Sequence, residues 1–165
     1  MPCAERVEFL FSFFSFLVIP FDRKYGAVRV GGVRFSYEPK RDARDRKIKH
    51  EWDEDHAGFV TDRAGNPEGK CPANIDIEQA EALLNDGIPD SPPEWFKEHP
   101  KYFYNIHDGV IYKAVETNPG KSYHAYPCRG PRSRDMTVRM QRKLLDKAQQ
   151  KNCLRAIQTW FADNP

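Results

Sequence analysis

The stretch FYNIHDGVIYKAVETNPGKSYHAYP, from Phe103 to Pro127, brings Tyr104, Lys113, His124 and Tyr126 into one short segment. These residue types suit work on an anionic substrate. A histidine takes or gives a proton near neutrality. A lysine beside it stabilises an anionic phosphorus centre. A tyrosine stacks on a base or donates its hydroxyl, and Arg129 and Arg132, just downstream, grip phosphates. Together they are the parts of a metal-independent ribonuclease, because RNA carries its own 2′-hydroxyl nucleophile. No cofactor is expected.

Such groups act together only if strands set them side by side. Asp108-Gly109 between two β-rich runs is the strongest hairpin signal in the chain. Asn118-Pro119-Gly120 marks the next reversal. Three antiparallel strands are therefore expected at about 102–107, 110–116 and 121–127. A two-residue loop at 108–109 pairs Tyr104 with Lys113. A four-residue loop at 117–120 then pairs Lys113 with His124. In that register Tyr104, Lys113 and His124 form one row on one face, with Ile106, Ile111 and Tyr126 in the next. The other face holds Phe103, Asn105, His107, Tyr112, Ala114, Tyr123 and Ala125.

The layout is similar, in architecture alone, to small ribonuclease toxins built as a sheet with flanking helices. The competing reading is structural. Tyrosine is a good strand residue, lysines snorkel at sheet edges, and histidines fill half-buried positions without reacting. The helices decide between the two. If they cover the Tyr104 face, Lys113 serves stability.

The helices are signalled by their caps. Asp76 with Gln79 forms a capping box ahead of the stripe Ile77, Ala80, Leu83 and Leu84, and Gly87 supplies the stop. Ser91 ahead of Pro92 and Glu94 predicts a second, short helix ending at Pro100. Val138, Leu144, Leu145 and Ala148 suit a helix starting near Asp135. Leu154, Ile157, Trp160 and Phe161 suit another after Asn152. Trp95, Trp160 and Phe161 read as core. The expected fold class is α+β: a three-stranded antiparallel β-meander packed against flanking helices, with a loosely attached N-terminal region.

That region is residues 1–49, and the compact domain is 50–165. Val28 and Val30, then Val33 and Phe35, fit a hairpin about Gly31-Gly32. The charged run 38–56 lacks an apolar stripe and reads as a linker or solvated helix. The apolar run Phe9–Phe21 is short for a membrane span, which needs roughly 20 residues. A signal core has that length, but Glu5 and Glu8 precede it and no small-residue cleavage site follows. A membrane role for 9–21 is therefore not favoured, and a cytoplasmic location is expected.

A chain of 165 residues suits one domain, and 13% aromatic content argues against disorder throughout. The net charge of +2 conceals a strong pattern. Residues 1–50 carry 11 Lys/Arg against 6 Asp/Glu, residues 51–100 carry 3 against 13, and residues 101–165 carry 12 against 5. The leading functional reading is a small soluble binding module whose basic C-terminal part contacts nucleic acid or another acidic macromolecule, through Arg129, Arg132 and Tyr126. The ribonuclease is the alternative, and a protein–protein adaptor using exposed tyrosines is the third. The opposing possibility is that the acidic middle cancels the basic end within the fold. Oligomeric state has no marker in the sequence.

In the segment HEWDEDH, His50, Asp53, Asp55 and His56 offer metal-ligand types, but a six-residue spacing puts the histidines on different helical faces. A solvated turn is preferred, and no metal is assigned. The four cysteines lack C-x-x-C spacing and read as free thiols; a Cys71–Cys128 bridge would require an oxidising compartment.

Overall fold

The computed structural model describes residues 33–40, 50, 52–130, 132, 133 and 135–165. Its strands are β1 (Ser36–Tyr37), β2 (Gly58–Thr61), β3 (Pro67–Lys70), β4 (Ile88–Asp90), β5 (Tyr102–His107), β6 (Val110–Asn118) and β7 (Ser122–Pro127). Its helices are α1 (Ile77–Asn85), α2 (Val138–Gln150) and α3 (Leu154–Asp163). The main sheet has five strands in the order β1-β7-β6-β5-β4, and β2 pairs with β3 in a separate ribbon. The class is mixed α+β. The sheet is wider than the expected meander because a short strand joins each edge. β1 has two residues, and β4 has three with a proline among them. Neither is long enough to show an alternating pattern.

The first hairpin follows its turn chemistry. Asp108 and Gly109 adopt φ values of 47° and 73°, the left-handed pair that a two-residue turn requires. Tyr104 pairs with Lys113 and Ile106 with Ile111, as expected. The second connection differs. Asn118 pairs with Ser122, and the register then shifts between Glu116 and Asn118, leaving Thr117 as an extra residue. Lys113 consequently faces Tyr126, and Val115 faces His124. The net displacement from the expected register is two residues. An even slip keeps each side chain on its face and changes its neighbours.

Each face of the sheet carries its own core. Tyr104, Ile106, Ile111 and Cys128 pack against Met136, Met140, Leu144, Ala148 and Ile157, so α2 and α3 cover this face. Thr137 starts α2 by accepting a hydrogen bond from the Met140 amide. On the other face Phe103, Ala114 and Tyr123 pack with Leu84 of α1 and with Phe35. Asp76 caps α1 through the Gln79 amide at 2.7 Å, as its sequence position implies. Ile77, expected in the buried stripe, is exposed.

Other expectations change. The segment after Ser91 is a turn, with the Trp95 amide donating to Pro92 O, and Ser91 Oγ accepts from the Lys101 amide instead of capping. Adjacent prolines remove two amide donors there. Trp95 is half-exposed, with the Lys97 ammonium 4.4 Å from its ring, so it is not core. Residues 33–40 are not loosely attached. β1 pairs in parallel with β7, and buried Phe35 exchanges hydrogen bonds with the Asn85 side chain. The runs 9–21 and 41–49, and most of the expected Gly31-Gly32 hairpin, lie outside the described residues. Among the described residues no helix is long and apolar enough to cross a membrane.

Candidate functional site

Of the three residues expected to form a reactive row, Tyr104 and Lys113 meet at the carbonyl of Asp135, in the turn before α2. Tyr104 donates its hydroxyl to Asp135 O at 2.5 Å, and Lys113 donates its ammonium to the same oxygen at 2.9 Å. The Lys113 Nζ lies 4.5 Å from the Tyr102 ring centre and 5.7 Å from that of Tyr104. Tyr104 is 2% exposed and Lys113 9%. Burial pushes the Tyr104 phenol far up, so it remains a protonated donor. Lysine here is held by a carbonyl and ring faces.

His124 does not share their row. The shorter turn and the bulge at Thr117 together move it beside Val115, one row away. It is 6% exposed, and its Nδ1 lies 2.9 Å from Thr117 Oγ1. Its ring stacks on His50 at 5.7 Å between centres, with the planes 7° apart. Tyr126 replaces His124 opposite Lys113 and leans on His50 at 5.0 Å. Burial, followed by the nearby Asp135 and Cys128 charges, raises the Tyr126 phenol. The row Tyr104–Lys113–Tyr126 is a packed support for the start of α2.

The phosphate-binding candidates stand at the rim. Arg129 Nε is 3.8 Å from the Asp135 carboxylate, while Arg132 is exposed. On α2, Arg139, Arg142 and Lys143 fall at spacings of three and four, which share a helix face. Among the described residues none of Arg132, Arg139, Arg142 and Lys143 has a carboxylate at ion-pair distance, whereas Lys147 and Lys151 both bind Asp86. Burial raises the Asp90 carboxyl despite the charges of Lys143 and Arg139, which oppose it. The α2 cations were not singled out in the sequence; an i, i+3, i+4 pattern of basic residues was the available signal.

Cys71 and Cys128 lie on opposite sides of the sheet and are not bridged to each other. The Cys128 thiol is pushed up to about 12 by burial and is fully enclosed, which makes it unreactive. His50 Nδ1 faces Gly69 O at 2.8 Å, while Trp52 donates to His56 O, so the HEWDEDH segment is occupied in shaping a turn. Among the described residues no group of three or more His, Cys, Asp or Glu side chains is placed to hold a metal ion.

A second feature lies under α1. A cavity of about 730 Å³ is walled by α1, by the 71–76 loop and by Tyr37 to Lys40. Its floor is the sheet: Phe103, Asn105, His107, Tyr112, Ala114 and Ala125. Ala114 and Ala125 are cross-strand partners, and two such small side chains together leave the hollow. The expected register paired Ala114 with Tyr123, which would have filled it. His107 contacts Gln79 and Asp108 at the rim, each at 3.3 Å.

No protein-family model matches the chain, and no curated protein or solved structure shows a match to it. The functional reading therefore rests on the residues themselves.

Proposed function

We propose that the protein is a small binding module whose basic C-terminal part contacts nucleic acid or another acidic macromolecule. The observation that carries this reading is the set Arg132, Arg139, Arg142 and Lys143, side chains without an ion-pair partner among the described residues. The acidic middle of the chain neutralises Lys147 and Lys151 through Asp86 and leaves this set available. Three of the four are arginines, whose planar forks match phosphate oxygens. With Tyr104, Lys113 and His124 buried, the contact surface is assigned to the helix and its rim.

The test is binding of a short single-stranded RNA, and of a DNA duplex of equal length, across a salt series. Phosphate contacts predict a steep fall of log affinity with log salt. Replacing Arg139, Arg142 and Lys143 together by Gln should flatten that slope by about 2–3. An unchanged slope, or no binding at low salt, removes the reading. A polyglutamate peptide that binds better than both nucleic acids identifies the partner as an acidic protein.

A further inference from the structure

We infer that the cavity beneath α1 is a binding site for a neutral, mostly apolar small molecule carrying a hydrogen-bond acceptor such as a carbonyl oxygen. This goes beyond the polyanion reading and uses the opposite face of the sheet.

Size and lining are the first argument. A volume of about 730 Å³ lies within the roughly 300–1,000 Å³ range of small-molecule sites. Leu83, Leu84, Phe103, Ala114 and Ala125 give it apolar walls, which suit an apolar body.

Tyr112 is the second argument. It lines the cavity and is 8% exposed, yet its hydroxyl has no hydrogen-bond partner among the described residues. The other buried tyrosines on this sheet do have partners: Tyr104 donates to Asp135 O, and Tyr123 to Pro100 O. The hydroxyl oxygen is not sealed from solvent, so it is open to donate to an acceptor bound in the cavity. Burial raises the Tyr112 phenol well above its ordinary value, so at neutral pH the group is O–H and donates. The neighbouring polar groups are already engaged. Asn105 Nδ2 donates to Leu83 O, and Cys71 Sγ donates to Ala125 O. Tyr112 is thus the donor left for a ligand.

The rim supplies the charge preference. Asp76 and Glu78 stand there against Lys40, which gives an anionic ligand no net attraction. A neutral molecule fits this balance and avoids desolvating a charge in an apolar cavity.

The probe is prodan, a neutral naphthalene with a ketone, whose emission shifts to the blue on leaving water. The comparison probe is 2-dimethylaminonaphthalene, which lacks the carbonyl. The intact chain should bind prodan saturably with a blue shift. Tyr112→Phe should weaken prodan about fivefold, through the lost hydrogen bond, and leave the carbonyl-free probe unchanged. Ala80→Phe, which fills the cavity from α1, should weaken both probes at least tenfold while circular dichroism remains native. If Ala80→Phe fails to fold, the Tyr112→Phe comparison decides alone. Absence of saturable binding to the intact chain overturns the inference. So does an equal response of both probes to Tyr112→Phe.

Discussion

The two faces of the central sheet are covered by unequal amounts of helix. α2 and α3 bring 13 and 10 residues to the Tyr104 face, and α1 brings 9 to the Phe103 face. Nine residues make a rod about 14 Å long, too short to roof five strands. On the first face the polar side chains are drawn inward and satisfied by one carbonyl. On the second a cavity remains, and the Tyr112 hydroxyl has no partner among the described residues. Residue types alone pointed to the first face as the site of chemistry, but helix coverage makes it the supporting side. Asp86 joins the two faces. It stands at the C-terminus of α1 and binds Lys147 of α2 and Lys151, the residue that caps its end.

The largest expected effect tests the coverage itself. Leu144 is fully buried, so Leu144→Ala should cost about 3 kcal/mol by denaturant titration. Leu83 lines the cavity, where part of its surface already lacks neighbours. Leu83→Ala should cost about 1 kcal/mol, since less packing is lost. Equal costs would mean that the faces are equally packed.

Next is Lys113→Ala, expected to cost about 2 kcal/mol. It removes a charged donor from Asp135 O and a stem packed against Tyr102 and Tyr104. A variant of unchanged stability that no longer binds or cleaves RNA would return Lys113 to the functional side of the comparison.

The tie between the faces predicts a pH dependence. Burial alone would raise the Asp86 carboxyl, but hydrogen bonds and charge from Lys147 and Lys151 outweigh it and hold the group below its ordinary value of 3.8. A depressed carboxyl stabilises the fold above its unfolded value, and the contribution disappears as pH falls through the folded value. Melting temperature should therefore drop below about pH 4, and Asp86→Asn should lack that component. At neutral pH this variant should be less stable by about 1.5 kcal/mol.

Much of this arrangement is legible in the sequence. Asp108-Gly109 could hardly form anything but a tight turn, and Asp76 with Gln79 marks the start of α1 by local chemistry. Both are short-range signals. The register of β7 is different, because it depends both on the length of the turn and on where an extra residue is absorbed. Nothing about Thr117 in the sequence marks it as a bulge. The shorter turn and the Thr117 bulge together separate His124 from Lys113 and set Ala114 opposite Ala125, so they both break the expected row and open the cavity. The edge strands fail for a related reason. β1 and β4 are defined by the strands they join, and a two- or three-residue segment has no periodicity of its own. Asp76→Ala should cost about 1 kcal/mol, because its bond to the Gln79 amide satisfies one otherwise unpaired donor. No loss of stability would detach α1 from the role given to it here.

The smallest expected effect comes from making one substitution on both faces. Tyr104→Phe removes a hydroxyl that donates to Asp135 O and should cost about 1 kcal/mol. Tyr112→Phe removes a hydroxyl with no partner among the described residues, at a residue almost as deeply buried. Its loss breaks no bond within the described fold, so stability should change by less than about 0.5 kcal/mol, in either direction. Both residues are buried, so the comparison bears chiefly on the hydroxyl. A cost at Tyr112 equal to that at Tyr104 would show that the hydroxyl is already engaged, and the argument for an acceptor in the cavity would fall with it. A neutral Tyr112→Phe that also loses its preference for the ketone probe would place the hydroxyl where a ligand, and not the fold, makes use of it.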